Sequence, residues 1–169
     1  ITAGSQFAVV LAALAVFLVC AGGQSINDYF DARVDARKKK SKPIPSGRIS
    51  ANAALAYSIL LFLAGIASAY AVNQTAAALA VVFSAILFSY SAVFAGKKYF
   101  GNYLVALASG AAFLMGAAVS GYYFVPFLLG VSAVFSTLAR EVTKDLEDQK
   151  ADAGIKVTLP MATSPSFAS

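Results

Sequence analysis

Residues 49–96 read ISANAALAYSILLFLAGIASAYAVNQTAAALAVVFSAILFSYSAVFAG, contain no charged side chain, and decide the fold. Residues 1–27 and 99–139 are also free of charge. A charge at the centre of a lipid bilayer costs about 3 kcal/mol, whereas a surface that faces water needs charges. Three long runs without charge therefore predict an integral membrane protein.

The composition excludes several other classes. Of the 169 residues, 59% are hydrophobic and 12% are charged, about half the charged fraction of a soluble domain. Cys20 is the single cysteine and there is no histidine, so disulfide frameworks, thiolate metal sites and imidazole ligands are excluded. The net charge of +5 does not indicate nucleic-acid binding, because the basic residues flank apolar runs and alternate with acidic ones.

The apolar runs predict an all-α, multi-span transmembrane bundle. About 20 apolar residues span a bilayer as a helix, and the alternation typical of barrel strands is absent. Five segments qualify or nearly qualify as spans: roughly 3–26, 51–72, 75–95, 101–121 and 124–139.

The charges predict the orientation of these spans. With five alternating spans, the turns near residues 73 and 122 lie on one side, and the charged blocks 28–48, 97–98 and 140–156 lie on the other. All 13 Lys and Arg residues then share one face, which the positive-inside rule assigns to the cytoplasm. We expect a multi-pass protein of the cell membrane with its polar loops on the cytoplasmic side.

Two acidic clusters follow the first and the last span with the same spacing. In each cluster three aspartates are separated by three and then four residues, so that they share one helical face. Asn27, Asp31 and Asp35, each four residues apart, form a second stripe along the helix that overlaps the first cluster. A proline follows the last aspartate of each cluster by eight residues. The clusters are Asp28, Asp31 and Asp35, and Asp145, Asp148 and Asp152.

Crowded carboxylates repel one another unless a cation neutralises them, and such oxygen ligands suit Mg²⁺ shared with substrate phosphates. Two facing clusters predict two Mg²⁺ ions bridged by a diphosphate, although any single aspartate has the simpler interpretation of a solvated loop residue. The predicted metal ligands are Asn27, Asp28, Asp31, Asp35, Asp145, Asp148 and Asp152. The predicted phosphate-binding residues are Arg33, Lys42, Arg48, Lys97, Lys98, Arg140 and Lys144.

These motifs resemble those of the UbiA superfamily of membrane prenyltransferases. Its first aspartate-rich motif is similar to residues 27–35 (NDYFDARVD), and its second to residues 144–152 (KDLEDQKAD). The segment KPIPSGRIS at residues 42–50, Gly101-Asn102 and Thr158-Leu159-Pro160 extend the resemblance over residues 1–160. The resemblance implies a Mg²⁺-dependent prenyltransferase in which Arg140 and Lys144 lie near the phosphates. It also implies that the catalytic residues are Asn27, Asp31, Asp35, Asp145, Asp148 and Asp152.

Within the superfamily, the motifs are most similar to those of members that transfer a geranylgeranyl group from geranylgeranyl diphosphate to the hydroxyl of geranylgeranylglyceryl phosphate, in archaeal ether-lipid biosynthesis. Such members have nine membrane helices. We therefore expect residues 1–160 to be a partial bundle that lacks the first and last helices, followed by a tail at 161–169 of different character. The implied partners are a prenyl diphosphate, a lipid-like acceptor and membrane lipid, with no nucleic acid and no deducible protein partner.

The sequence leaves three alternative functions open. The first is a related prenyltransferase that uses the same binding site for the prenyl diphosphate but transfers the prenyl group to an aromatic or quinone-precursor ring. The second is a CDP-alcohol phosphotransferase, but the motif of that family has glycine directly after its second aspartate, where this chain has Ala32. A channel or transporter would want ionisable residues at the middle of the bilayer, and the predicted spans have none.

Overall fold

A computed structural model of the protein describes residues 3–38, 41–93 and 98–147. These residues form five α-helices and no strand, which confirms the predicted all-α fold. The helices are α1 (Ala3–Lys38), α2 (Ala51–Tyr70), α3 (Gln74–Val93), α4 (Lys98–Ser120) and α5 (Phe124–Glu147). The predicted tail at 161–169 lies outside the described residues.

Four helices, α1, α2, α3 and α5, are long and apolar enough to cross a membrane. The fourth predicted span corresponds to a shorter apolar stretch, Val105–Ser120 within α4. Large apolar side chains lie on the outside of the bundle, among them Phe17, Leu60 and Phe135, each more than 60% exposed. A surface of this kind is stable against lipid and not against water. The chain is a multi-pass membrane protein.

Two helices continue beyond their predicted spans. Helix α1 extends from the expected end near residue 26 to Lys38, and α5 extends from residue 139 to Glu147. Neither extension contains glycine or proline, so nothing in the sequence interrupts the backbone hydrogen bonds. The acidic segment that begins at Asp28 is therefore helical, as its spacing predicted.

Helices α1 and α2 are antiparallel and joined by three serine hydroxyls that donate to backbone carbonyls of the facing helix. Close approach is possible because small residues lie between the helices: a Cβ on Gly65 would lie 3.2 Å from the carbonyl oxygen of Ala15. Hydrogen bonds of this type stabilise helix pairs in membranes. They run from Ser68 to Leu11 (2.9 Å), from Ser58 to Gly22 (2.8 Å) and from Ser25 to Ala54 (3.2 Å).

Asn73 joins the α2–α3 turn to the end of α4. Its side-chain oxygen accepts from the amide of Ala76 (2.8 Å) and caps α3, while its side-chain nitrogen donates to the carbonyl of Ala118 (2.8 Å). The turns near residues 73 and 122 therefore lie at the same end of the bundle, as predicted. At the opposite end the rings of Phe30 and Phe88 are in edge contact, with centroids 6.0 Å apart.

Helix α5 packs substantially only against α4 within the described ranges, whereas α1 packs against α2, α3 and α4. The hydroxyls of Ser109 and Thr137 are 2.9 Å apart, which sets the register of the antiparallel α4–α5 pair. This arrangement places the C-terminal end of α5 at the same end of the bundle as the acidic end of α1.

Candidate active site

The candidate site begins at the C-terminal turns of α1, where the helix leaves its apolar part. Asn27 donates from its side-chain nitrogen to an oxygen of Asp31, one turn later, at 3.3 Å. Asp28 is half-exposed, whereas Asp35 is buried, with 8% of its surface accessible. One helix thus presents four oxygen-bearing side chains over slightly more than two turns.

Lys42 connects the loop after α1 to two of these carboxylates. Its Nζ lies 2.7 Å from Oδ1 of Asp28 and 2.7 Å from Oδ2 of Asp35. Partial burial disfavours the charged ammonium, but hydrogen bonds and attraction to both carboxylates outweigh that effect and raise the pKa of Lys42 above its ordinary value. Among the described residues, the ammonium of Lys42 is the cation that pairs with the buried Asp35.

The loop between α1 and α2 is folded on itself. Gly47 adopts a φ of 75°, a backbone conformation that side chains with a Cβ rarely adopt. The amides of Ser46 and Ile49 donate to the carbonyls of Lys42 (3.0 Å) and Pro43 (3.2 Å). Arg48 donates to the carbonyl of Ser41 (2.7 Å) and to the hydroxyl of Ser46 (3.1 Å), so this predicted phosphate-binding residue stabilises its own loop.

A cavity of about 320 Å³ lies between the end of α1, this loop and the start of α2. Its polar wall includes Asp28, Asp35 and Lys42. Its apolar wall includes Ile44 and Tyr57. One cavity therefore offers both charged and apolar contacts.

The sequence did not predict several of the residues that line this cavity. Gln24 and Ser25 also line the cavity, and Gln24 precedes Asp28 by one helical turn on the same face. Continuing the acidic stripe one turn toward the N-terminus would have found Gln24. Tyr57 had no comparable signal, because its place in the cavity depends on how α2 packs against α1.

The second acidic cluster is only partly described. Asp145 lies in α5, although its side chain is outside the described residues, as are Asp148, Asp152 and Lys97. Lys98 begins α4, again without a described side chain. The guanidinium of Arg140 contacts the carboxylate of Glu141 at 3.2 Å, and Arg33 and Lys144 are exposed.

The donor chemistry fits a hard divalent cation. The α1 segment supplies carboxylate and amide oxygens, the ligands that Mg²⁺ prefers. Within the described ranges, no three acidic, cysteine or histidine side chains are already grouped as a metal site. The ammonium of Lys42 lies between the carboxylates of Asp28 and Asp35, 2.7 Å from an oxygen of each.

Comparison with known proteins identifies the family. The model of the UbiA prenyltransferase family matches residues 2–166. The chain belongs to this family. Family members generally use a divalent metal, which agrees with the carboxylate and amide oxygens at the end of α1.

Relatives of this family member include the digeranylgeranylglyceryl phosphate synthases of Methanopyrus kandleri and Methanothrix thermoacetophila. The first is 41% identical over 154 residues, which cover 90% of this chain and 57% of the relative. The second is 41% identical over 143 residues, which cover 85% and 54%. The chain thus spans little more than half the length of these relatives.

A solved structure from work on digeranylgeranylglyceryl phosphate synthase in membranes has the same fold. It superposes with a TM-score of 0.80 at 30% identity, covering 95% of this chain and 58% of the solved chain. This likeness agrees with the membrane-spanning helices described above.

Proposed function

We propose that the complete protein transfers a geranylgeranyl group from geranylgeranyl diphosphate to the free hydroxyl of geranylgeranylglyceryl phosphate. The observation that carries this proposal is the acidic end of α1, which lies beside a cavity with one charged and one apolar wall. A charged wall suits a diphosphate, and an apolar wall suits the start of an isoprenoid chain. The two synthases at 41% identity support the choice of donor and acceptor.

In this proposal seven side chains would hold two Mg²⁺ ions at one end of the bundle: Asn27, Asp28, Asp31, Asp35, Asp145, Asp148 and Asp152. When bound, Mg²⁺ would stabilise the negative charge that develops on the departing diphosphate. Basic side chains near the two clusters contact phosphate oxygens through charge-assisted hydrogen bonds, with Arg140 and Lys144 as the candidates on α5.

The reaction exchanges one bond for another. The bond between C1 of the geranylgeranyl chain and the diphosphate oxygen breaks, and the diphosphate keeps the electron pair. The hydroxyl oxygen of the acceptor then bonds to C1 and loses its proton to solvent or to the diphosphate. Ile44 and Tyr57 line the apolar side of the cavity, where the start of the isoprenoid chain would lie.

The polar end of the bundle faces the cytoplasm in this proposal. The support is the distribution of charge, since all 13 Lys and Arg residues lie outside the apolar runs and on one predicted side. Water-soluble diphosphate would then leave on the side where the charged loops lie.

The test offers the complete protein, in lipid nanodiscs, labelled geranylgeranyl diphosphate with Mg²⁺ and either geranylgeranylglyceryl phosphate or an aromatic acid. The expected product is the lipid with two geranylgeranyl chains, formed together with free diphosphate. Alkylation of the aromatic acid alone would reject the proposed acceptor but support the assignment as a prenyltransferase. Absence of diphosphate release with every acceptor would reject the enzyme itself.

A further inference from the structure

Lys42 forms the bridge between the loop and the acidic face of α1. Its Nζ makes two contacts of 2.7 Å, one to Asp28 and one to Asp35, which are one heptad apart on the helix. Asp28 and Asp35 therefore point to the same side, where one ammonium reaches both. The ammonium occupies a place that a cation bound to these carboxylates would also need.

We propose that Lys42 is a built-in counter-ion that competes with the divalent cation for Asp28 and Asp35 and leaves them when the cation binds. The inference rests on the proposed metal site at the end of α1. Lys42 is then a positioning residue: it keeps the carboxylates neutralised before the metal and substrate arrive. Its ammonium becomes available to the diphosphate only after the exchange.

Burial explains why a resident counter-ion is needed. Asp35 is 8% exposed, and a buried carboxylate without a partner is costly. The side chain of Lys42 is 30% exposed, so it can move toward solvent or toward a ligand in the cavity. The pair thus joins a fixed acid on a helix to a cation on a loop.

Displacement of Lys42 by the divalent cation would also affect the loop. Lys42 lies at the start of the folded segment, and its carbonyl accepts from the amide of Ser46 at 3.0 Å. The Lys42 side chain therefore ties the folded loop to α1. Release of the ammonium should loosen residues 41–49 while α1 and α2 remain helical.

The first experiment measures binding of Mn²⁺, without diphosphate, to the complete protein in nanodiscs by electron paramagnetic resonance. Lys42→Met should bind Mn²⁺ roughly tenfold more tightly than the wild type, because two partly exposed ion pairs no longer compete. Lys42→Arg keeps the positive charge and should restore the weaker affinity of the wild type. An unchanged or weaker Mn²⁺ affinity in Lys42→Met would overturn the proposal.

A matched control separates local competition from net charge. Arg33 lies on α1 within the acidic segment, is exposed, and is about 140° around the helix from Asp28. Arg33→Gln also removes one positive charge but leaves the contacts of Lys42 in place. Its Mn²⁺ affinity should change far less than that of Lys42→Met, and an equal gain in both variants would contradict competition at the carboxylates.

The second readout is hydrogen–deuterium exchange of residues 41–49. In the wild type Mn²⁺ should speed exchange in this loop, whereas in Lys42→Met exchange should already be fast and independent of Mn²⁺. If the wild type and Lys42→Met bind Mn²⁺ equally and Asp31→Asn abolishes binding in both, the metal site stands and the role of Lys42 is rejected. If neither protein binds Mn²⁺, the metal site itself is rejected.

Discussion

Gly110 and Gly130 bring the backbones of α4 and α5 into direct contact. A Cβ added at Gly110 would lie 2.8 Å from the carbonyl oxygen of Gly130, and one added at Gly130 would lie 2.9 Å from the carbonyl oxygen of Gly110. Backbone atoms at these distances cannot yield without moving a helix. The position of α5, which ends at Glu147, therefore depends on glycine at both positions.

Gly110→Ala should destabilise the protein by about 1–3 kcal/mol, the usual cost of an added methyl group where there is no space. Gly116 is the matched control on the same helix, because no described atom other than those of its chain neighbours and its own helix backbone lies within 4 Å of a Cβ built there. Gly116→Ala should be neutral or stabilising by up to about 1 kcal/mol, since alanine favours a helix. Unfolding in increasing SDS measures both variants. Equal stability of the two would contradict the close α4–α5 contact.

Ser58→Ala should lower the free energy of unfolding by about 0.6 kcal/mol, the mean value of an interhelical hydrogen bond in a membrane protein. The Ser58 hydroxyl is fully buried and donates to the carbonyl of Gly22 across the α1–α2 interface. Ser84 is a control, since its hydroxyl is buried without a hydrogen-bond partner in the described part of the chain. Ser84→Ala should cost nothing or stabilise. A larger loss for Ser84→Ala would reject this assignment of the two hydroxyls.

The helical fold, and the location of the acidic part of α1 and the C-terminal end of α5 at one end of the bundle, were predictable from the sequence, because lipid excludes charge and the charges lie in three blocks. The spacing of Asp28, Asp31 and Asp35 also predicted one helical face. The contacts of Lys42 were not predictable. They depend on where the loop after α1 places Lys42, and spacing along the sequence does not report which side chains such a loop brings together.

Asp31→Ala and Asp148→Ala should each abolish prenyl transfer, because each removes a proposed metal ligand. Both variants should remain folded in detergent, since removing one of several crowded carboxylates relieves repulsion. Product formation from labelled geranylgeranyl diphosphate measures the activity, and size-exclusion chromatography checks the fold. Retained activity in both folded variants would reject the metal assignment.

The raised pKa of Lys42 predicts how the loop responds to pH. Because the pKa of Lys42 is raised in the folded state, its pairing with Asp28 and Asp35 contributes its full stability below the ordinary lysine pKa of 10.5. This contribution is lost as the pH rises through the higher pKa of the folded state. Protection of residues 41–49 from hydrogen exchange, after correction for the intrinsic rate, should therefore persist from neutral to mildly alkaline pH. The free amine should also form at higher pH than it does in Asp35→Asn, which lacks one of the two carboxylates. An amine-reactive reagent followed by mass spectrometry measures this at Lys42, and faster modification in the wild type than in Asp35→Asn would contradict the pairing.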